Sequence, residues 1–238
     1  MKLSAPIYHL KRKARRLCRE ASISLHEALD RIAAEEGCAS WSLLAAKHAA
    51  AGNATASLHS RLSKGDLVLV AARPGQGKTL KSLEFAVDAM RDGHSAWFFT
   101  LEYTLKDVIG RFAAIGEDYD RFAGLFHIDC SDAISADYII GTLAATAPGT
   151  LVIVDYLQIL DQRRESPELD EQVRSLRAFA RQRGLIIVFI SQIDRSYDAD
   201  AKRFPDMRDI RLPNPLDTAL FDKACFLSKG EARLQAMR

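Results

Sequence analysis

The sequence predicts an α/β fold, a mostly parallel β-sheet flanked by helices, preceded by a small helical unit. Three observations carry that expectation. Short apolar runs of strand length recur at 67–72, 95–101, 150–155 and 185–190. Between them lie stretches with apolar residues at helical spacing, a pattern that calls for crossovers and parallel strands and not for a meander. The residues before 49 instead carry helical periodicity alone, interrupted by Gly37.

In chain order, Pro6 to Glu20 places Ile7, Leu10, Ala14 and Leu17 on one helical face. Ser24 with Glu27 forms a capping-box pattern ahead of Ala28, Leu29 and Ile32; Gly37 ends that helix, and Ser40 begins another with Trp41, Leu43 and Leu44. These three short helices define a unit over 1–48. The stretch 49–57, made of small residues and poor in large apolar ones, reads as its linker, leaving 58–238 as one large domain. Lys11, Arg12, Lys13, Arg15, Arg16 and Arg19 crowd the first helix. Such a cluster suits a nucleic acid or is a solvated helix face, and both readings stand, as do a helix-turn-helix role and simple packing for the unit.

Leu67-Val-Leu-Val-Ala-Ala72 is short and β-branched, as a strand buried on both faces should be. It runs into Arg73-Pro-Gly-Gln-Gly-Lys-Thr79, and Leu80, Leu83, Val87 and Met90 then fall on one helical face. Strand, glycine-rich loop and helix thus stand in the order of a phosphate-binding loop. Gly75 and Gly77 let the backbone turn its N–H groups toward phosphate oxygens; Lys78 reaches the β- and γ-phosphates, and the Thr79 hydroxyl is a Mg²⁺ ligand at a helix N-terminus. The candidate nucleotide-binding residues are Ala72, Arg73, Pro74, Gly75, Gln76, Gly77, Lys78, Thr79 and Leu80. Ala72 replaces the first glycine of the usual pattern, which serves if that position does not need positive φ. Thr150-Leu-Val-Ile-Val-Asp155 ends a second buried run in an acid, the group needed for the Mg²⁺ shell.

Ser95 to Leu101 is another strand pattern, so Glu102 falls at a strand's C-terminal end, where ligand sites of open α/β sheets gather. Its alternative role is to cap the next helix, a task better met by Thr104 with Asp107. Leu185 to Ile190 likewise places Ser191 and Gln192 at a strand tip; Gln192 is a nucleotide-sensing candidate or satisfies local backbone groups. Apolar faces follow at Leu105, Val108, Ile109 and Phe112, at Tyr138, Ile139, Gly141 and Leu143, and at Val173, Leu176, Phe179 and Ala180. Leu125 to Ile128 is an additional strand, with His127 a core-edge residue lacking spaced partners for a metal. Arg73, Arg163, Arg164 and Arg195 contact phosphate or are solvated surface.

Leu69 to Pro74 leading into Gly77-Lys-Thr79, then Phe99-Thr-Leu-Glu102, Ile153-Val-Asp-Tyr-Leu-Gln158 and Ile190-Ser-Gln-Ile-Asp-Arg195, resemble in order and spacing the motor domain of DnaB-type replicative DNA helicases. The resemblance covers Leu58 to Leu227 and implies a RecA-like P-loop ATPase with ATP and Mg²⁺ as cofactors. By position, it implies that Glu102 activates the attacking water, Gln192 senses the γ-phosphate, Lys78 binds phosphate, and Thr79 and Asp155 hold the metal. It further implies a DNA helicase or DNA-associated translocase acting on single-stranded DNA, as a homo-oligomeric ring or with a protein partner. The alternative is a regulatory ATP-binding module of RecA or KaiC type that unwinds nothing. The 1–48 unit does not resemble the primase-interacting domain of those helicases. The chain runs only from Leu227 to Arg238 after its last strand-like run. With no further strand expected there, Lys229 and Arg233 are not assigned as the lysine and arginine that such motors present to a neighbouring nucleotide.

A chain of 238 residues, 48% of them hydrophobic, has room for one large domain and a small appendage, and a net charge of +2 identifies no partner. Cys18, Cys38, Cys130 and Cys225 show no metal or disulfide spacing and read as reduced thiols. No apolar run reaches transmembrane length, and a signal-peptide core is missing, so the expectation is a cytoplasmic protein with no membrane partner.

Overall fold

The computed structural model of the protein describes residues 4–5, 7–45, 58–161, 167–197, 202–212 and 214–237. Two compact units, Met1–Ser57 and Leu58–Arg238, divide it. In the larger unit seven strands form one sheet: β1 (Leu67–Ala72), β2 (Ala96–Thr100), β3 (Phe126–Asp129), β4 (Leu151–Asp155), β5 (Ile186–Gln192), β6 (Lys223–Ser228) and β7 (Glu231–Ala236). Their order is β3-β2-β4-β5-β1-β6-β7. Every pairing is parallel except that of β6 with β7.

Alternation along the central strands feeds two apolar layers. Leu67, Leu69 and Ala71 of β1, Val152 and Val154 of β4, and Ile187 and Phe189 of β5 enter one; Val68, Val70, Ala72, Leu151, Ile153, Ile186, Val188 and Ile190 enter the other. Both sides of these strands are therefore buried, which is why they read as unbroken apolar runs. The first layer receives Ile139 and Leu143 from α5 (Ala136–Leu143) and Val173, Leu176 and Ala180 from α6 (Leu169–Arg183). The second receives Leu83, Phe85, Ala86, Val87, Ala89 and Met90 from α3 (Lys78–Arg91), and Val108 and Phe112 from α4 (Leu105–Ala114). Each such large side chain removed from water contributes about 1.5–3 kcal/mol. The α/β class with a mostly parallel sheet is thus as expected.

Two local expectations differ. On α4 only Val108 and Phe112 are buried, one turn apart, while Leu105 and Ile109 are 45% and 41% exposed. One helix resting on one sheet face buries a narrow stripe, and these two residues lie beside it. The second difference is a correction: a strand does follow the 224–227 run. The chain turns at Lys229 and Gly230, with φ of 47° and 81°, and β7 returns antiparallel with Ser228 opposite Glu231 and Phe226 opposite Arg233. Positive φ at both residues of a two-residue loop is the primed hairpin geometry that matches strand twist. β7 escaped notice because Leu234 is its one buried residue: Ala232, Leu234 and Ala236 alternate with Glu231, Arg233 and Gln235, but two of the three apolar positions are alanine, so the period-two signal is weak. The early strand expected at 125–128 is β3, where His127 stacks on Trp97 at 4.6 Å between ring centres.

The smaller unit pairs α1 (Ile7–Glu20) with α2 (Leu25–Glu35). Leu10 and Ala14 of α1 bury against Ala28 and Ile32 of α2, with Leu17, Ile23, Leu29 and Trp41 around them. The Glu27 N–H donates to the Ser24 hydroxyl at 3.1 Å, one half of the predicted capping box, while the Glu27 carboxylate accepts from Arg31 at 2.8 Å. Residues 41–45 are helical, begun by a Leu43 N–H bond to the Ser40 hydroxyl at 3.3 Å. The stretch 49–57, read above as a linker, lies outside the described residues.

Candidate nucleotide site

Strand parity assembles the site. Ala72, Thr100, Asp155 and Gln192 are each the last residue of β1, β2, β4 and β5. Ala72 pairs with Gln192 and Thr100 with Asp155. Counting in twos from Val70, Phe98, Ile153 and Ile190, all in the α3 layer, puts the four residues on the face that α3 covers. Four strand tips thus meet the start of one helix. Ala72 is buried in β1 and is not among the residues with positive φ, so the missing glycine costs nothing there.

The loop between β1 and α3 bends through Gly75 and Gly77, with φ of 77° and 86°, a region a Cβ would strain. Gly77 is the N-cap of α3; it brings no capping side chain, and the first turn of α3 holds no acid. The other helices of this unit start differently. Thr104 and Asp107 make a reciprocal capping box on α4, Ser135 caps α5, and Asp170 and Glu171 occupy the first turn of α6. The α6 N-cap, Glu168, likewise makes no side-chain cap bond, so among these four helices α3 is set apart by having neither a capping side chain nor a first-turn acid, which leaves its positive dipole end open to an anion. Pro74, Gly75 and Gln76 are exposed, and Gly77 to Leu80 half-buried. Arg73 turns away from the loop: its guanidinium donates to the Tyr197 carbonyl at 3.1 Å.

Three charges converge behind the loop. The Thr79 hydroxyl donates to the Asp155 carboxylate at 3.0 Å. Asp155 is 2% exposed. Burial pushes its pKa up to about 7, with Glu102 adding repulsion and the Thr79 bond and Lys78 opposing the rise. Lys78 is lowered by burial, against which Asp155 and Glu102 pull upward. Even with Lys78 and Arg111 opposing the rise, the buried carboxylate keeps a raised pKa, so the pair of hard oxygens from Asp155 and Thr79 suits a divalent cation. Among the described residues no group of three or more His, Cys, Asp or Glu is arranged to hold a metal ion. Two protein oxygens match an ion that takes most of its shell from phosphate and water.

Glu102 stands two residues past β2, exposed, its N–H bonded to the Thr100 hydroxyl at 3.0 Å. Gln192 is half-buried, and its carbonyl accepts from the Arg211 N–H at 2.8 Å. All of the predicted site residues lie at this carboxyl edge, with Arg73 alone engaged elsewhere by its side chain. Sequence reasoning missed Thr100 and Arg111. The Arg111 guanidinium lies 3.6 Å from the centre of the Tyr103 ring and is among the charges acting on Asp155; it steadies the turn that holds Glu102. Neither residue has a motif. For Thr100 the available signal was its register with Asp155, and for Arg111 its place two turns into a helix that starts beside the site. Arg195 is exposed in a turn, and Arg163 and Arg164 lie outside the described residues.

An open parallel sheet with a phosphate-type loop after its central strand and an acid on a neighbouring strand tip defines a P-loop nucleotide-binding domain of RecA-like architecture. The chain belongs to the KaiC ATPase family, whose sequence signature matches residues 54–205, and is a P-loop ATPase by that membership. It is similar to the replicative DNA helicase DnaB of Geobacillus stearothermophilus, 27% identical over 185 residues, covering 64% of this chain and 40% of that protein. A probable plasmid replicative DNA helicase of Chlamydia trachomatis serovar L2 is 26% identical over 180 residues, 63% of this chain and 40% of that protein. The resemblance to DnaB-type motor domains read from the motifs is therefore matched by aligned stretches of 180 to 185 residues, and the chain spans less than half the length of these relatives. Among solved structures, an ATPase domain superposes with a TM-score of 0.57 at 18% identity, covering 69% of each chain. The KaiC-like protein PH0186 of Pyrococcus horikoshii OT3 gives 0.53 at 17%, covering 74% of this chain and 80% of that one. These two show the fold. No helix among the described residues is long and apolar enough to cross a membrane.

Proposed function

We propose that this chain binds ATP with Mg²⁺ and hydrolyses it to drive movement along single-stranded DNA, as one subunit of a ring in the manner of DnaB-type helicases. The observation that carries the reading is the Thr79–Asp155 hydrogen bond beside Lys78, under the uncapped start of α3. Lys78 and the open N–H groups of α3 bind the β- and γ-phosphates. Thr79 and Asp155 hold the metal, which when bound neutralises phosphate charge. Glu102 accepts a hydrogen bond from the attacking water and aligns it for in-line displacement, and Gln192 contacts the γ-phosphate and reports its loss to β5. The four cysteines are free thiols, which agrees with a cytoplasmic setting.

A second reading is favoured by the KaiC-like neighbour, of which the match covers 80%. Here the chain is a regulatory ATP-binding module that changes partner binding and unwinds nothing. Measuring ATPase rate with and without single-stranded DNA, together with solution mass and strand separation on a forked duplex, decides between them. DNA-stimulated turnover by a ring that separates strands supports the motor; Arg233, exposed on β7, is then the first residue to test as a trans-acting cation. Turnover indifferent to DNA, without strand separation at any protein concentration, leaves the regulatory module.

A further inference from the structure

We infer that the smaller unit carries a separate, ATP-independent contact for the phosphodiester backbone of nucleic acid on the arginine face of α1. Arg12, Arg15, Arg16 and Arg19 stand at i, i+3, i+4 and i+7, so they share one helical face, and all four are exposed. The opposite face is spent: Leu10 and Ala14 are buried against α2.

The stripe is poorly neutralised within the protein. Six cations of α1 face Glu20 as the helix's one acid. Lys13 pairs with Glu35, and Arg16 reaches Glu20 at 3.6 Å with side chains 72% and 65% exposed, a geometry of little strength in water. Arg12, Arg15 and Arg19 have no carboxylate partner among the described residues. Arg12–Arg16 and Arg15–Arg19 are instead like-charge pairs at i,i+4, which destabilise the helix that carries them. Crowding extends to Lys11, whose pKa is lowered by burial and then by Arg15. A polyanion lying along this face relieves the repulsion.

The chemistry selects phosphodiester. Seven residues of helix hold the guanidiniums in a rigid row about 10 Å long, and each fork matches a phosphate bidentately. A membrane surface fits less well, because an interfacial helix needs an apolar face to insert, and that face of α1 is already buried against α2. The contact reads no bases, since no amide or acid stands among the four arginines to recognise base edges.

The test is fluorescence anisotropy of the full chain with labelled single-stranded and duplex oligonucleotides of unrelated sequence, without nucleotide. Four phosphate contacts predict a log–log salt slope of about −3.6 for duplex and about −2.8 for single strands, a loss of roughly 10²-fold for duplex between 50 and 200 mM salt. Replacing the four arginines by glutamine should weaken binding at least tenfold at low salt and flatten that slope, while replacing them by lysine restores most of it. Far-ultraviolet circular dichroism checks that the helix persists in both. Lys78→Ala, which empties the nucleotide site, should leave this binding intact. Tighter binding to either oligonucleotide form identifies which backbone the stripe takes. The inference is overturned if the glutamine variant binds like the parent, if binding appears only with ATP, or if phosphatidylserine vesicles bind as tightly and depend on the same arginines.

Discussion

Helices α3 and α4 begin at the same edge of the same sheet and pack on the same face, yet their first turns are opposites. α4 closes itself with the Thr104–Asp107 capping box. α3 starts from a left-handed glycine with no capping side chain and no acid. Each follows a strand whose last residue, Ala72 or Thr100, stands at the candidate site. The site therefore lies where local satisfaction is withheld. An uncapped N-terminus beside a buried, undercompensated carboxylate is costly on its own terms, and the proposed ATP with Mg²⁺ would supply what both lack.

The largest expected effect comes from breaking the open end. Lys78→Ala removes the cation that offsets Asp155 and is proposed to meet the phosphates, and it should abolish ATP binding or turnover. Equilibrium binding of a fluorescent nucleotide measures it, and unchanged affinity and hydrolysis would end the site assignment. Next in size, Glu102→Gln keeps the fold of the loop and the oxygens of Thr79 and Asp155 but removes the carboxylate proposed to align the attacking water. ATP should remain bound while single-turnover hydrolysis slows by about 10²-fold or more; near-normal chemistry would reduce Glu102 to a turn residue.

On the closed end, Thr104→Ala should leave nucleotide affinity unchanged and cost about 1 kcal/mol of stability, as loss of a cap does. A shift of the denaturant midpoint without change in nucleotide binding is the expected pair of results; a loss of binding would show that the two helix starts are not independent. The smallest effect is the pH dependence of that cap. Asp107 is held below its usual pKa by the Thr104 hydroxyl and then the Thr104 N–H. A depressed folded-state pKa contributes stability above the unfolded value and loses it as pH falls through the folded one. Thermal melts of parent and Thr104→Ala should therefore converge as pH drops below the ordinary aspartate range, and a constant gap would remove Asp107 from the cap. Outside both ends, the buried Cys225 thiol, pushed up to about 12 by burial, should resist alkylation at pH 8 until the chain unfolds, as mass spectrometry would report.

Much of the site was legible because its groups are contiguous. The loop 73–79 must be glycine-rich to turn and must carry Lys78 and Thr79 in place, so chemistry and spacing coincide in one short string. The strand tips Asp155 and Gln192, and Glu102 just past β2, could be placed because strands buried on both faces announce themselves and give way abruptly to polar residues. Legibility failed where partners are distant in sequence or the apolar period is weak. Thr100 meets Asp155 only through register, the Arg73–Tyr197 bond spans a separation of 124 residues, and β7 holds one buried side chain.

The sequence by itself determined the parallel α/β class, the phosphate loop and the acids and amide at the strand ends, since each rests on local periodicity or a short string. Tertiary structure alone decided the strand order, the parity that turns Ala72, Thr100, Asp155 and Gln192 to the α3 face, and the turn of Arg73 away from the phosphates. It also decided the edge hairpin that carries Arg233. These depend on which strands pair and in what register, and pairing is a contest among long-range contacts that no local stretch of chain encodes.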